Sequence, residues 1–414
     1  MTLGAPIPVG LRYPSAAGYA KNDSAWIYIM GGLLDGNIIT ANCYRYNVRT
    51  DSWETIPPLP SGPIWIGAGA CLNGKIYQLG GTNQLYLNAA QTTVSVYNIS
   101  TNTWSTAAPL IWGRVFMGVT AYQDSLLYVA GGWGYPGGTA NADVFLYNSF
   151  SNQWRYCSSM NAWRCGGVLG VAGDTLVYVC GGQDWTNPAA LNTVYRGVIS
   201  QSNRSNITWD TTGAVYPPGP RNSIQGAKWG NEMIVSGGYT TSGSNYANEC
   251  YVFSPGANHW YQMPNLLTAR TDHGAASVAM GSMWKYVNVT GTNNRSGSSL
   301  TSVNILTDSL TVVSVHQGSN TLPKTFTLYQ NYPNPFNPST KIKFDVAEIR
   351  GQKSEVRLVI YDLLGREVVT LINEKLSPGT YEVVWDASKY VSGIYFYTLK
   401  TENFSETKKM ILLK

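Results

Sequence analysis

The chain has 414 residues, of which 12% are aromatic and 12% charged, and its net charge is +5 at pH 7. This small positive charge is spread without a Lys or Arg run, which argues against nucleic acid as a partner. No uninterrupted apolar stretch approaches the roughly 18 to 20 residues that a membrane-spanning helix requires. A charge-poor, aromatic-rich chain of this length is typical of β-rich globular domains.

The composition changes near residue 320, where we expect a domain boundary. About 9% of residues 1–320 are charged, against about 24% of residues 321–414. All six cysteines also lie in the first region. We therefore predict a first domain over residues 1–316, a linker over residues 317–325 and a second domain over residues 326–414.

The first region is built from repeats, each marked by a diglycine after a short apolar run. The diglycines lie 49, 51, 50 and 56 residues apart. They are Gly31-Gly32, Gly80-Gly81, Gly131-Gly132, Gly181-Gly182 and Gly237-Gly238. A tyrosine and then a tryptophan follow in each repeat: Tyr46 and Trp53, Tyr97 and Trp104, Tyr147 and Trp154, Tyr195 and Trp209, Tyr251 and Trp260. A degenerate sixth copy has Gly291 and Leu310 in the glycine and tryptophan positions.

Each unit of about 50 residues reads as four short strands separated by turn-rich loops. The diglycine allows close backbone approach, and the Tyr and Trp fill the space between neighbouring units. This pattern closely resembles the kelch repeat, which implies an all-β fold with a six-bladed β-propeller. Residues 4–12 read as the end of one blade and the start of the next, so we expect the chain to begin inside a blade. A seven-bladed ring would need a further repeat before Met1.

The second region alternates apolar and polar residues in blocks, which predicts an antiparallel sandwich with one face of each strand buried. Its motifs resemble the type A sorting domain of type IX secretion. The residues that carry this resemblance are Asn331, Pro333, Asn334, Pro335, Leu364, Gly365, Gly379, Tyr381, Ser392, Gly393, Ile394, Tyr395, Lys408 and Lys409.

The sorting-domain resemblance implies a small immunoglobulin-like β-sandwich that is recognised by the type IX secretion machinery. It further implies a secreted or cell-surface protein, attached to the outer membrane or released, from Bacteroidota or their relatives. The alternative is a sandwich that only assists ligand binding. Residues 1–10 lack the basic and apolar segments of a secretory signal peptide, so we expect the chain to be mature, trimmed or part of a longer gene product.

Residues suited to catalysis or metal binding are sparse. His259 and His273 are expected to be structural and His316 lies in the linker, which argues against a copper site like that of galactose oxidase, which carries kelch-like blades. HExxH, CxxC and GKS/T motifs are absent. We therefore predict no catalytic residue, no metal and no cofactor. The cysteines are expected to be buried free thiols, with a disulfide between Cys157 and Cys165 as the alternative.

Arginines recur at the predicted start of the innermost strands. They are Arg12, Arg114, Arg164, Arg221 and Arg270. In a closed ring we expect them to converge near one mouth of the central channel, beside Trp65, Trp112 and Trp163. Guanidinium groups suit carboxylate or sulfate, and flat aromatic rings stack on sugar faces, so this set predicts an acidic-glycan site. The alternative is that the arginines bond loop carbonyls between blades.

A second aromatic group follows the diglycines, in loops whose lengths vary. It comprises Trp133, Tyr135, Trp185, Tyr239 and Tyr246. Variable loops on a constant scaffold are common recognition sites, so these residues predict ligand binding, with simple loop packing as the alternative.

These patterns favour a secreted or cell-surface kelch propeller that binds a glycan or protein without catalysis. One alternative is a carbohydrate-active propeller enzyme, such as a lyase, an oxidase or an epimerase resembling kelch sialate epimerases. A channel-mouth cluster of Arg with Asp or Glu would favour the enzyme, and Asp184 and Asp272 are the acids near the candidate loops. The other alternative is an interaction module of a larger exported protein.

Overall fold

The structure, a computed structural model, describes most of the chain as two compact units, Met1–Asp308 and Ser309–Lys414. The described residues are 1–21, 24–85, 89–134, 138–181, 191–240, 246–256, 258–280, 283–293, 298–309, 313–315, 323–348, 354–376, 378–387 and 390–413. The sequence predicts that the first domain ends at residue 316, whereas the two units divide between residues 308 and 309. The division comes earlier because Val313–Val315 pairs with a strand of the second unit. Across these ranges we find no helix that is long and apolar enough to span a membrane.

The described part of the first unit contains six four-stranded antiparallel sheets, which we call blades and number by their innermost strands. Blade one comprises Ser15–Lys21, Ser24–Met30, Cys43–Asn47 and Ser52–Ile56. Blade two comprises Ala68–Leu72, Lys75–Leu79, Val94–Asn98 and Thr103–Thr106. Blade three comprises Gly118–Tyr122, Leu126–Ala130, Val144–Asn148 and Gln153–Tyr156.

The remaining blades follow the same order, except that the last one also uses the start of the chain. Blade four comprises Val168–Ala172, Thr175–Val179, Thr193–Ile199 and Ile207–Val215. Blade five comprises Gln225–Trp229, Glu232–Ser236, Cys250–Ser254 and His259–Met263. Blade six comprises Gly274–Met280, Met283–Val289, Val303–Ser309 and the N-terminal strand Thr2–Gly4.

Because Thr2–Gly4 is the outermost strand of blade six, the chain begins inside a blade, as residues 4–12 predict. The predicted tryptophan position of the sixth repeat, Leu310, lies outside the described residues. Short strands also form in the loops that follow two diglycines. Leu33–Leu34 pairs with Ile38–Ile39, and Trp133–Gly134 pairs with both Arg114–Val115 and Thr139–Ala140.

The innermost strands lie side by side around a closed ring, in which the strand of blade six contacts that of blade one. Small residues allow this approach. A Cβ added at Gly18 would meet the carbonyl oxygen of Ser277, and one at Gly69 would meet the backbone of Ala16. Larger side chains at these positions would push neighbouring blades apart. The closed ring of sheets confirms the predicted β-propeller.

The repeat tryptophans join each blade to the one before it. The indole N–H of Trp104 donates to the Pro57 carbonyl at 2.7 Å, and that of Trp154 donates to the Ala108 carbonyl at 2.8 Å. Both carbonyls belong to the segment that leaves the preceding blade. Within its own blade, Trp154 packs with its ring 5.0 Å from that of Tyr147. The Tyr and Trp of the repeat are therefore contacts that hold blades together.

The second unit is a β-sandwich of two four-stranded antiparallel sheets. One sheet contains Val313–Val315, Gly379–Asp386, Ser339–Val346 and Thr327–Leu328. The other contains Glu367–Leu376, Ser354–Tyr361, Gly393–Lys400 and Ser405–Leu412. Alternate residues of the strands enclose a core that includes Phe344, Leu358 and Trp385. The sandwich agrees with the alternating pattern of the sequence, and its immunoglobulin-like topology stays a prediction.

Candidate functional site

One mouth of the propeller channel is formed by six residues, each two positions before the innermost strand of a blade. We call them the mouth ring: Tyr13, Ile66, Phe116, Gly166, Ser223 and Asp272. All six are in the left-handed region, with φ between 49° and 68°. Left-handed backbone is uncommon for residues other than glycine, and it is found where surrounding structure imposes it.

Backbone hydrogen bonds link successive members of the mouth ring. The N–H of Ile66 donates to the Tyr13 carbonyl at 3.1 Å, and the N–H of Phe116 donates to the Ile66 carbonyl at 3.3 Å. Gly166 and Ser223 continue the pattern, each donating to the preceding member at 3.1 Å. The N–H of Tyr13 donates to the Asp272 carbonyl at 2.6 Å and so joins blade one to blade six. These bonds hold the mouth at a defined width.

Behind the mouth ring lies a cavity of about 110 Å³. Tyr13, Ile66, Phe116 and Ser223 line its entrance, and small residues of the innermost strands, such as Ala16, line its wall. Ligand pockets for organic molecules usually enclose about 300 to 1,000 Å³. The cavity is therefore too small to enclose such a ligand, which could contact only the mouth from outside.

The polar part of the mouth centres on Asp272. Its carboxyl group hydrogen-bonds the hydroxyls of Tyr13, Thr271 and Ser223, with Thr271 Oγ1 at 3.0 Å from Oδ1. Burial raises the pKa of Asp272 to about 6, although the hydrogen bonds and the charge of Arg12 favour the carboxylate. Burial and the neighbouring Asp272 also raise the pKa of Tyr13. An acid that titrates close to neutral pH thus belongs to the mouth ring, bonded to Tyr13.

Arg12 directly precedes Tyr13, and its positive charge acts on Asp272. Its Nη2 donates to Asn37 Oδ1 at 2.9 Å. Hydrogen bonds from Ser299 and, less strongly, the charge of Arg12 lower the pKa of Asp35. The charge of Arg12 therefore acts on two carboxyl groups, Asp35 and Asp272, and its side chain is only partly buried.

Arg12 occupies a different position from the other four predicted arginines. It precedes its mouth-ring residue by one and pairs with Leu33, directly after the diglycine. The corresponding residues of three other blades are Trp65, paired with Thr82, Val115, paired with Trp133, and Thr271, paired with Thr292. Arg114, Arg164, Arg221 and Arg270 precede their mouth-ring residues by two. Leu11, fully buried, takes the equivalent place before blade one.

The four other arginines are buried and bond the loops of their own blades. Arg114 donates to the Gly131 carbonyl at 2.6 Å and pairs with Asp143 at 3.1 Å. Arg164 donates to the Tyr195 hydroxyl at 2.6 Å and to the Trp163 carbonyl at 2.7 Å.

The other two members of this set make contacts of the same kind. Arg221 donates to the Pro220 carbonyl at 3.1 Å and lies 3.5 Å from Glu249. Arg270 donates to the carbonyls of Thr290 and Ser302 at 3.1 and 3.0 Å, and burial lowers its pKa to about 10.

This placement corrects the expectation that the five arginines converge on the channel. Arg114, Arg164, Arg221 and Arg270 do not lie in the cavity wall, and their guanidinium groups are committed to protein acceptors. Arg12 does not line the cavity either, but it is only partly buried, directly precedes Tyr13 and acts on Asp272, so we assign it to the mouth. Arg12 lies one residue closer to its innermost strand than the other four arginines do. This difference in spacing cannot be recognised in the sequence until the first residue of each innermost strand is known.

The aromatic part of the mouth comes from the segments of blades two and three. Trp133 is 8% exposed and packs in one apolar cluster with Ile66 and Val115. Trp65 packs against this cluster, donates its indole N–H to the Gln84 carbonyl at 2.8 Å and lies edge-on to Tyr13 at 5.5 Å. The mouth therefore has an aromatic half beside its polar half.

Of the other predicted aromatic residues, Tyr239 lies beside the mouth ring, where its charge helps to raise the pKa of Tyr13. Trp163 is 62% exposed, and Trp112 is 38% exposed and donates to the Tyr156 hydroxyl at 2.7 Å. Tyr239 pairs with Asn222 and with Tyr246. Tyr135 and Trp185, together with the acid Asp184, lie outside the described residues.

Histidine and cysteine side chains do not assemble a metal centre in the described part of the chain, where no group of three or more His, Cys, Asp or Glu is suitably placed. His273 is fully buried beside Arg270, and burial lowers its pKa well below the ordinary value. All six cysteines are free thiols, including Cys157 and Cys165. Burial raises the pKa of the Cys157 thiol to about 12.

In the second unit, the motif residues near the start form hydrogen bonds within their own segment and to the C-terminal strand. Asn331 is buried and donates to Thr340 Oγ1 at 2.9 Å and to the Pro333 carbonyl at 3.1 Å. Asn334 accepts the N–H of Ile411 at 2.9 Å and donates to the Lys409 carbonyl at 3.4 Å. Pro333 and Pro335 both follow cis peptide bonds.

The remaining motif residues are distributed over both sheets. Tyr381 stacks on Phe344, and Tyr395 lies edge-on to Trp385. Lys408 pairs with Glu406 at 2.9 Å, whereas Lys409 is exposed. Gly365 forms a turn with φ 76°, while Gly379 and Gly393 begin strands. Their role in sorting stays a prediction.

Comparison with known protein families identifies both units. The family described as the secretion system C-terminal sorting domain matches residues 330–413, and the kelch motif matches residues 27–60, 68–111 and 116–161. The chain is a kelch-repeat protein with a secretion-system C-terminal sorting domain. Its sorting domain indicates export by type IX secretion to the cell surface or the extracellular space, which confirms the predicted localisation.

Curated relatives of the kelch propeller include Kelch-like protein terF of Aspergillus terreus, 27% identical over 55% of this chain and 51% of that protein. Human Kelch-like protein 38 is 24% identical over 60% of this chain and 40% of its own length. The chain thus spans about half, or less, of the relatives that it matches. The solved structure titled "Structure of YjhT" aligns with a TM-score of 0.58 and 16% identity, covering 73% of this chain and 99% of that one, which shows the propeller fold alone.

Proposed function

We propose that this exported kelch propeller binds a glycan at its channel mouth and does not chemically alter it. The observation that carries the proposal is the division of the mouth into an aromatic half and a polar half. Trp65 and Phe116 supply flat apolar surface, while Arg12, Tyr13 and Asp272 supply hydrogen-bonding groups. Sugars present both kinds of surface, since their C–H faces stack on aromatic rings and their hydroxyls bond polar side chains.

The charges at the mouth favour a neutral sugar over the acidic glycan that five converging arginines would have suited. Arg12 contributes one positive charge and lies beside Asp35 and Asp272. The guanidinium groups of the other four arginines bond protein groups, so they are not placed to bind a carboxylate or sulfate directly. A carboxylate or sulfate would meet at least one acidic neighbour, whereas uncharged hydroxyls can both donate to Asp272 and accept from Arg12.

A glycan is favoured over a protein as the ligand because the polar groups converge on a small area. The cavity of about 110 Å³ admits part of one sugar ring, and the rest of the ligand would lie across the mouth ring. Protein partners of stable complexes bury about 800 Å² per side, so they would draw on the whole propeller face. A protein ligand remains an outcome of the experiment below.

A second candidate function, a carbohydrate-active enzyme, is favoured by one specific observation. Asp272, with its pKa raised to about 6, hydrogen-bonds Tyr13 and lies near Arg12. A carboxyl group that titrates near neutral pH suits general acid and base chemistry. A cluster of Arg with Asp at the channel mouth is the arrangement expected of a carbohydrate-active propeller enzyme. The interaction module of a larger exported protein remains the third alternative.

A glycan array probed with the full chain and two mouth variants tests the binding proposal. Arg12→Ala and Tyr13→Phe should each weaken binding about tenfold or more, because the first removes a donor of the polar half and the second breaks the bond that positions Asp272. Arg196→Ala is the matched control, since Arg196 forms an exposed pair with Asp210 on blade four. Unchanged binding by both mouth variants would contradict the proposal.

Incubation of the bound glycan with the chain, followed by mass spectrometry and NMR, separates the two candidate functions. An unaltered glycan supports the binding module. A cleaved, oxidised or epimerised product that disappears with Asp272→Asn supports the enzyme. If the array shows no glycan and binding is instead to a protein, the glycan proposal is wrong while export of the chain is unaffected.

A further inference from the structure

A tight turn in the sorting domain presents two leucines to solvent. Leu363 and Leu364, between Ser354–Tyr361 and Glu367–Leu376, are 67% and 75% exposed. The carboxylate of Asp362 accepts the N–H of Leu364 at 2.9 Å, the N–H of Arg366 at 3.0 Å and the guanidinium of Arg366 at 2.7 Å. These bonds make the turn rigid, so the leucines are held outside the core by the backbone itself.

A second loop of the same domain presents another apolar side chain. Val391 is 78% exposed and precedes the strand Gly393–Lys400. The hydroxyl of the motif residue Tyr395 donates to the Val391 carbonyl at 2.8 Å, while its ring packs on Trp385 in the core. Tyr395 therefore fixes the backbone of Val391 to the sandwich.

The strand register brings both segments to one end of the sandwich. Tyr361 lies opposite Phe396, and Gly393 lies opposite Leu412. The charge of Asp362 acts on Tyr395, which agrees with this proximity. The exposed apolar side chains at this end form what we call the tip patch: Leu363, Leu364, Val391, Ile394 and Leu413.

The side chains of the tip patch are exposed and lie outside the core of the sandwich, whereas other motif residues are buried in it. Asn331 and Tyr381 are buried and bond or stack within the domain. Gly365 and Tyr395, also motif residues, shape the segments that hold Leu363, Leu364 and Val391 in solvent. Clustered exposed apolar side chains on a rigid support are typical of a protein interaction surface.

We propose that the tip patch is the surface by which the sorting domain docks onto the type IX secretion machinery, in an apolar groove of that partner. All five patch residues lie within residues 330–413, which match the sorting-domain family. The export machinery is the partner that this domain implies. Three stretches distant in sequence build the patch, so it exists only in the folded domain, and an unfolded tail would not dock.

Export of the full chain from a type IX host, behind an inner-membrane signal peptide of that host, tests the tip patch. The double variant Leu363→Ser with Leu364→Ser, and the single variant Val391→Ser, should lower the secreted fraction about tenfold and leave the chain in the periplasm. The double variant Leu363→Met with Leu364→Met retains apolar surface and should be exported normally. Leu267→Ser and Val198→Ser alter exposed apolar residues of the propeller and are the matched controls.

Thermal unfolding of the purified variants separates docking from folding. The serine variants should unfold at the temperature of the parent chain, because their side chains lie outside the core. If the double variant unfolds at a lower temperature than the parent chain, the export of the single variants Val391→Ser and Leu364→Ser tests the proposal instead. Normal export of all serine variants would overturn the proposal. So would a parent chain that dimerises through the patch while its monomeric serine variants are exported normally, since the patch would then be a contact between two copies.

Discussion

The backbone N–H of Tyr13 donates to the carbonyl oxygen of Asp272 at 2.6 Å, and the side chains of the same two residues share a hydrogen bond. Tyr13 precedes blade one and Asp272 precedes blade six, so this pair joins the first and last blades at the channel mouth. The bond places an acid with a raised pKa beside a tyrosine and next to Arg12. Closure of the ring thus assembles the candidate site.

Asp272→Asn should stabilise the propeller at pH 8. Burial raises the pKa of Asp272 from 3.8 to about 6, so the folded state holds this proton more tightly than the unfolded state does. The resulting stabilisation is present below pH 4 and is lost as the pH rises through 6. Two pKa units correspond to roughly 3 kcal/mol, and the variant avoids this loss. Urea unfolding at pH 5 and pH 8 measures the difference.

The advantage of Asp272→Asn over the parent chain should shrink as the pH falls from 8 to 5. Asp124→Asn, which alters an exposed carboxylate, serves as the control and should show no such trend. A variant that is less stable than the parent at pH 8 would show that the charged carboxylate stabilises the ring. If Asp272→Asn is more stable than the parent chain but binds less glycan on the array, Asp272 serves function at a cost in stability.

Arg270→Met should destabilise the propeller far more than Arg12→Ala. Arg270 is fully buried and donates to three carbonyls and to Ser302 Oγ, all of which lose this partner in the variant. Unsatisfied buried acceptors lower the free energy of unfolding by about 3 kcal/mol. Arg12 makes one exposed hydrogen bond to Asn37, so its removal should change stability by less than about 1 kcal/mol. If the two variants lowered the free energy of unfolding in urea equally, the distinction between the four buried arginines and Arg12 at the mouth would be wrong.

Trp154→Phe should weaken the contact between blades two and three. The variant loses the indole hydrogen bond to the Ala108 carbonyl and leaves a small gap beside Tyr147. We expect a loss of about 1 to 2 kcal/mol in the free energy of unfolding. Trp112→Phe is the control, because its indole bond to Tyr156 is exposed, and it should change stability by less than about 0.5 kcal/mol. If Trp112→Phe lowered the free energy of unfolding as much as Trp154→Phe does, the contact between blades would not explain the loss.

Removal of residues 1–4 should lower the thermal stability of the propeller by several degrees. Thr2–Gly4 pairs with residues of Val303–Ser309, and its loss leaves blade six with three strands and an unpaired edge. Differential scanning calorimetry of this variant beside one that lacks Met1 alone measures the effect. Identical transitions in the two would mean that the N-terminal strand adds nothing to the ring.

The blades were predictable because their signals are local and repeated. The diglycines follow the second strands, and the Tyr and Trp lie in the third and fourth strands, seven residues apart in the first three repeats. The start of the chain inside a blade was also legible in residues 4–12. The arginine cluster was not predictable. In a strand the side chains alternate between faces, so the one-position offset between Arg12 and Arg114 sends one to the mouth and the other into the blade.

The sequence by itself determined the kelch repeats, the sorting domain and the export that it implies, since each rests on motifs that are read along the chain. Only the tertiary structure decided which residues meet at the mouth ring and at the tip patch. Tyr13 reaches Asp272 through closure of the ring, and Leu364 reaches Val391 through the register of paired strands. Such contacts join residues far apart in sequence, and no local pattern encodes them.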